Sequence, residues 1–223
     1  MDNLRDVTDR LAIIDLAQRE RLARDNRQWK LMQECYHPEG TRVFLSWIDG
    51  TADRFIAASK AMGEEPGGHA VHSLGPTLVR VEGDRALAET GCTILMRRTV
   101  EGVQCDLTSY CRHHSRVARY GDGWRLLTLV GVYEKNTLAP VIPGQAPPID
   151  ADLLKSLRDS YDYQSYFRVR QGKPVHHDRP GLDRPDLVAR FLEAEEKWLS
   201  GENVPLGVGP DSGAHVVGTS ENR

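Results

Sequence analysis

The side chains in this sequence best suited to chemistry fall on its strand-like stretches, where turn spacing decides which of them meet. Turn signals at Gly83-Asp84, Glu101-Gly102 and Gly121-Asp122-Gly123 separate runs of alternating character. If Glu101-Gly102 is a two-residue turn, Val100 pairs with Val103 and each further pair steps outward. Glu89 then faces His114, Gly91 faces Arg112, Thr93 faces Tyr110, and Arg97 faces Asp106. The same reasoning at the other turns sets Arg112 opposite Gly131, Tyr110 opposite Tyr133, and His72 beside Leu95. One sheet face is thereby predicted to collect His72, Tyr110, Arg112, His114 and Tyr133. A histidine is a general base near neutral pH. An arginine fork stabilises a developing oxyanion, and tyrosine hydroxyls donate. A solvated sheet face accounts for the same set, and an Arg112–Glu89 ion pair accounts for that arginine. The opposite face, with Ala88, Cys92, Ile94, Met96, Leu107 and Cys111, is small and apolar and suits the packed side equally. Pro76 marks a place where a one-residue bulge would flip part of the set.

The elements that must position these residues change period along the chain. Residues 4–24 carry Val7, Leu11, Ile14, Ala17 and Leu22 at near-helical spacing. A short helix is expected around Gln28–Cys35, and a third from a Thr51 cap to about Met62. Strands are expected at 71–82, 85–98, 103–118 and 124–135, with a short one near 41–47. Helices followed by hairpin-linked strands make an α+β pattern. After the proline-rich break from Pro140 to Pro148, helical stretches are expected at 150–170 and 185–200, then a Gly- and Ser-rich mobile tail. The expected division is a pocket domain over 1–138 and a helical C-terminal extension with a flexible tail over 139–223.

Composition narrows the function classes. The 223 residues include 29 Lys or Arg and 32 Asp or Glu, for a formal charge of -3. With 39% hydrophobic and 27% charged residues this reads as a soluble globular chain able to bury its own core. Nothing approaches a membrane span, and the N-terminus lacks the apolar stretch of a secretory signal, so the cytoplasm is expected. The near-neutral charge argues against a nucleic-acid partner. Cys35, Cys92, Cys105 and Cys111 form no C-x-x-C pair, and the adjacent pairs His113-His114 and His176-His177 make no metal site alone. No metal is expected, and no P-loop or dinucleotide fingerprint occurs.

Four motifs in order, Arg24-Asp25-Asn26-Arg27-Gln28-Trp29, His72-Ser73-Leu74-Gly75, Gly83-Asp84-Arg85-Ala86 and Asp122-Gly123-Trp124-Arg125, resemble the SnoaL-like branch of the nuclear transport factor 2 superfamily. That branch includes scytalone dehydratase, hexachlorocyclohexane dehydrochlorinase and bile-acid dehydratases. The resemblance covers roughly residues 5–138. It implies a cone-shaped α+β barrel, a curved antiparallel sheet wrapped around the N-terminal helices and enclosing a deep pocket. It also implies that Asp25 pairs with His72, the Asp orienting a His base. Two departures stand out. Arg24 occupies the place of a tyrosine in scytalone dehydratase, and that enzyme's second histidine has no counterpart near Met96-Arg97, where His114 is the available substitute.

These observations predict a cofactor-independent lyase for a small aromatic or alicyclic molecule, with Asp25, His72, Arg112 and Tyr110 catalytic. His114, Tyr133 and Trp29 are expected at the substrate, Trp29 at the pocket mouth or in the core. Base-driven elimination would expel water or another leaving group. The resemblance also admits deformylation of a lignin-derived diarylpropane with release of formaldehyde, a step of aromatic catabolism. Two further readings are a ketosteroid-isomerase-like proton shuttle, for which Glu89 is the sheet carboxylate, and a small-molecule binder without chemistry. The resemblance implies a homo-oligomer, a trimer rather than a dimer; the extension lies outside the family's minimal fold and is expected to pack on the cone mouth or on a neighbour.

Overall fold

A computed structural model describes residues 4–65 and 67–208. The expected Gly- and Ser-rich tail lies almost wholly outside them. Helix α1 (Leu4–Asp25) buries Ile13, Leu16 and Ala23, the stripe that near-helical spacing of apolar residues demands. Helix α2 (Trp29–Glu34) follows, and helix α3 (Ala52–Glu64) opens where the Thr51 hydroxyl accepts a hydrogen bond from the Arg54 N–H at 3.3 Å. Two short strands, β1 (Arg42–Leu45) and β2 (Ile48–Thr51), form a hairpin between α2 and α3.

The long strands are β3 (Ala70–Glu82), β4 (Arg85–Val100), β5 (Val103–Tyr120) and β7 (Thr128–Pro140), with a short β6 (Gly123–Leu126). The sheet order is β2-β1-β7-β5-β4-β3, with β6 paired to β5. All pairings are antiparallel except β1 on β7. The chain is thus α+β, a curved sheet closing over helices. Glu101 and Gly102 both have positive φ, 46° and 86°, as a tight hairpin turn of the strand-matching twist requires. That turn sets the β4–β5 register, which pairs Glu89 with His114, Gly91 with Arg112, Thr93 with Tyr110 and Arg97 with Asp106.

Three shifts depart from uninterrupted hairpins. Between Leu74 and Thr77, at Gly75-Pro76, β3 slips one residue against β4, so His72 pairs with Ile94 rather than Leu95. Proline has no N–H for the ladder, and the bulge absorbs it. The chain also breaks step at Leu127, between β6 and β7. Tyr133 therefore pairs with Cys111, and Arg112 with Val132, where Tyr110 and Gly131 were expected. A further shift between Tyr110 and Cys111 sets Tyr110 against Lys135. Because strand faces alternate, each one-residue slip sends a side chain to the other face. His72 and Tyr133 consequently leave the face of Tyr110, Arg112 and His114. They join the small apolar face, which is the packed one.

Helices α4 (Ala151–Lys155), α5 (Asp162–Arg170) and α6 (Pro185–Leu199) follow. Helix α6 lies on the outer sheet face, burying Phe191 against Phe44, Val130 and Val132. Tyr161, before α5, packs on Tyr133 with ring centroids 4.7 Å apart. No helix among the described residues is long and apolar enough to cross a membrane.

Candidate active site

Asp25 is the last residue of α1 and His72 the third of β3, and the fold brings them into contact. The His72 backbone N–H donates to Asp25 Oδ2 at 2.6 Å, and His72 Nδ1 lies 2.7 Å from Asp25 Oδ1. With Asp25 as a carboxylate, Nδ1 carries the proton and Nε2 keeps a lone pair. Burial pushes the Asp25 carboxyl up, but the hydrogen bonds from His72 and the charge of Arg24 hold it below its ordinary value. Burial of the His72 ring outweighs the Asp25 hydrogen bond, and neighbouring arginines add to it. Its pKa falls to about 4, so the imidazole is neutral near pH 7.

His72 borders a cavity of about 340 Å³ between α1, α3, the inner sheet face and α5. Its walls are largely apolar, with Leu45, Trp47, Ile48, Ile94, Met96 and Phe167 prominent. Tyr133 also borders it. The Tyr133 hydroxyl accepts a hydrogen bond from the Ser46 N–H at 2.8 Å, which leaves its own proton free to donate. Burial pushes its pKa up to about 12, keeping it protonated.

The other expected site residues stand elsewhere. Arg112 lies on the outer face, where it forms ion pairs with Glu89 and Glu134. Tyr110 is 36% exposed, with Lys135 Nζ 5.2 Å from its ring centroid. His114 is buried beneath α6, in edge contact with Phe191 and 3.4 Å from Glu195 Oε2. Trp29 packs on the main core and under Lys60, away from the cavity lining. The cause for the three β5 residues is the face reversal set by the bulges. Glu89, engaged with Arg112 outside the cavity, offers no carboxylate for a proton shuttle there.

Residues not expected at the site also reach the cavity, His113, Arg21 and Arg24 among them. His113, on the strand face opposite Arg112 and His114, stands with its ring 6.0 Å from that of His72. Burial holds its pKa well below the usual value. Arg21 and Arg24 extend from the last turns of α1, and helical spacing from Asp25 would have found Arg21, one turn earlier on the same face. Arg21 is paired with Glu20, which also accepts from the Tyr36 hydroxyl. Arg24 stands 3.5 Å from Asp25, and its Nε has no hydrogen-bond partner among the described residues. Cys92, Cys111 and His113 also group closely enough to hold a metal ion, although the thiols are buried and unpaired.

A carboxylate-held histidine lining a largely apolar cavity can abstract a proton from a ligand bound there. Sequence comparison fits that geometry, since the SnoaL-like domain matches residues 5–130. The chain belongs to the SnoaL-like family. Pea pathogenicity protein 2 of Fusarium vanettenii is 30% identical over 89% of this chain and 88% of its own length. An uncharacterised protein of Emericella nidulans is 28% identical over 92% of this chain and 91% of its own length. Among solved structures, a hexachlorocyclohexane dehydrochlorinase (LinA, type 2) aligns with a TM-score of 0.54 at 16% identity, over 64% of this chain and 97% of that one. The SnoaL-like match ends at Residue 130, so α5, which closes the cavity of this member, lies beyond it.

Proposed function

We propose that this SnoaL-like protein is a cofactor-independent lyase that drives elimination from a small aromatic or alicyclic alcohol. The observation that carries the reading is the Asp25–His72 contact beside the cavity. His72 Nε2 takes a proton from a carbon or hydroxyl of the substrate. The electrons of that bond form the new double bond, and the leaving group departs. Asp25 holds the ring and stabilises the imidazolium that forms. Arg24, beside Asp25, takes the electrostatic role first expected of Arg112. Tyr133 takes the donor's role expected of Tyr110, returning a proton to the departing oxygen.

In dehydration His72 removes a C–H proton and that bond's electrons form the alkene as hydroxide leaves. In deformylation it removes a hydroxymethyl O–H proton, those electrons form the C=O of formaldehyde, and the cleaved C–C bond supplies the alkene electrons that expel the benzylic hydroxyl. The test is incubation with a panel of hydroxylated aromatic dimers, steroids and halogenated rings, read by mass. Loss of water, formaldehyde or hydrogen halide that disappears in His72→Ala supports the reading. Turnover that survives His72→Ala, or binding with no mass change across the panel, sinks it.

A further inference from the structure

The cavity's charges do not balance, and the imbalance points to its ligand. Arg21 is matched by Glu20 and Lys173 by Glu65. Asp25 is already engaged by two hydrogen bonds from His72. Arg54, Arg98 and Arg168 also line the cavity, and no carboxylate among the described residues pairs with them. Arg98 Nε is buried without a hydrogen-bond partner, and the nearest polar contact of its guanidinium is the Met96 sulfur at 3.6 Å. Among the described residues Arg168 donates to the Pro174 carbonyl, and its guanidinium lies over the Trp47 ring.

Leaving cations half-desolvated and unpaired costs free energy. Burial lowers the pKa of both Arg98 and Arg168. Glu65, a cavity carboxylate already held by Lys173, offsets part of this at each, and the Arg98 charge lowers that of Arg168 again, so the two arginines are close enough to repel and share no carboxylate of their own. An anion between them relieves burial and repulsion together. The apolar walls require the rest of the ligand to be hydrocarbon.

We propose that the cavity binds an amphipathic organic anion, a carboxylate on an aromatic or alicyclic frame, with the carboxylate held by Arg98 and Arg168 and the frame directed toward His72. The proposal rests on the elimination reading only for what happens after binding. The chain's mild net charge does not oppose it, because that charge averages over a surface that the ligand never meets. Arg168 comes from α5, so the extension would supply half of the carboxylate clamp.

The experiment compares naphthoate with its neutral isostere naphthamide by calorimetric titration of the full-length protein. Naphthoate is expected to bind tighter by about tenfold or more, the worth of one or two charge-assisted hydrogen bonds. Arg98→Met and Arg168→Met should each remove most of that preference. Arg98→Lys should retain part of it. Arg97→Met, which removes an equal charge from an exposed pair with Asp106, should leave it intact. Each variant's thermal melt checks that it is folded. Equal binding of the two probes, or a preference that survives both cavity substitutions in folded protein, overturns the proposal. Repeating the titration in His72→Ala separates the two claims. Carboxylate preference there stands whether or not His72 is the base, and loss of turnover there stands whether or not the anion is preferred.

Discussion

On the inner sheet face, His72 and His113 stand beside Arg21, Arg24 and Arg98, around a cavity. On the outer face, Arg112 and His114 stand on the same strand as His113, yet there three arginines have a carboxylate and Arg85 is held by the Trp198 and Glu202 carbonyls. Arg112 has Glu89 and Glu134, Arg116 has Glu195, and Arg80 has Glu196. The residue types are nearly the same and the settings opposite. Outside, charges close on one another and fasten α6 to the sheet. Inside, one carboxylate is spent orienting a histidine, and arginines remain unmatched. Both clusters leave buried polar atoms without a hydrogen-bond partner among the described residues, His114 Nδ1 and Glu195 Oε2 outside and the Nε atoms of Arg24 and Arg98 inside, and what marks the inner one as a binding site is the cavity beside it.

The largest effect expected is at His72. His72→Ala should cut turnover by about 10²–10⁴-fold, the usual worth of a positioned general base, while the melt stays cooperative. Asp25→Asn should also be severe, since the amide cannot stabilise an imidazolium. Full activity in either variant would erase the distinction between the faces.

Next is the fastening of α6. Arg116 Nε donates to Glu195 Oε1 at 2.9 Å, with both side chains buried, and three backbone carbonyls share the guanidinium. Glu195→Ala leaves a buried cation without its counter-charge, at a cost on the order of 3 kcal/mol. Chemical denaturation should report that loss while naphthoate affinity remains. A stable variant with weakened binding would show that the outer cluster serves the cavity instead.

Acid separates the faces less sharply. Burial lowers the pKa of His72 to about 4 and that of His114 to about 4, and lowers that of His113 as well. The unfolded chain, titrating near the usual 6.5, therefore binds more protons between those values, and stability falls as pH drops through that window. Glu195, raised to about 7 by burial, acts in the opposite sense, its share being lost as pH rises from 4.5 toward 7. The lowered histidines, His176 among them, and the lowered carboxyls of Asp9, Asp25 and Asp183 outweigh Glu195 and Asp162 and leave a net loss in acid. Yet kcat/KM should stay level from neutral pH until it nears about 4, where free His72 protonates. An activity limb near 6.5 would mean that His72 is solvated and not the base described.

The legible part of this design is what local chemistry specifies. Glycine turns fixed the β4–β5 register, and the family motifs joined Asp25 to His72. What the strand pattern hid were slips without a strong local signature, at Leu127 and between Tyr110 and Cys111, together with one that Pro76 did flag. Each reversed a face, so His113 was passed over for its neighbours Arg112 and His114. The cavity wall from α5 was hidden for another reason. Phe167 and Arg168 line one cavity with Trp47 and Arg98 across long stretches of sequence, and no periodicity encodes such a meeting.

Arg112 is the smallest and most discriminating case. On sequence grounds it was a candidate for the oxyanion. In the structure its guanidinium is shared between Glu89 and Glu134 at a partly exposed site, with side chains 31%, 27% and 35% accessible. Such pairs contribute about 0–1 kcal/mol, because water screens the attraction and the side chains lose freedom. Arg112→Met should therefore leave turnover within about twofold and shift stability by no more than that amount. The same substitution at Arg98 should cost little stability but most of the carboxylate preference. Should Arg112→Met abolish turnover in folded protein, the outer face would belong to the chemistry. The register shift at Leu127 would then have to be wrong, since it is what separates Tyr133 from Arg112.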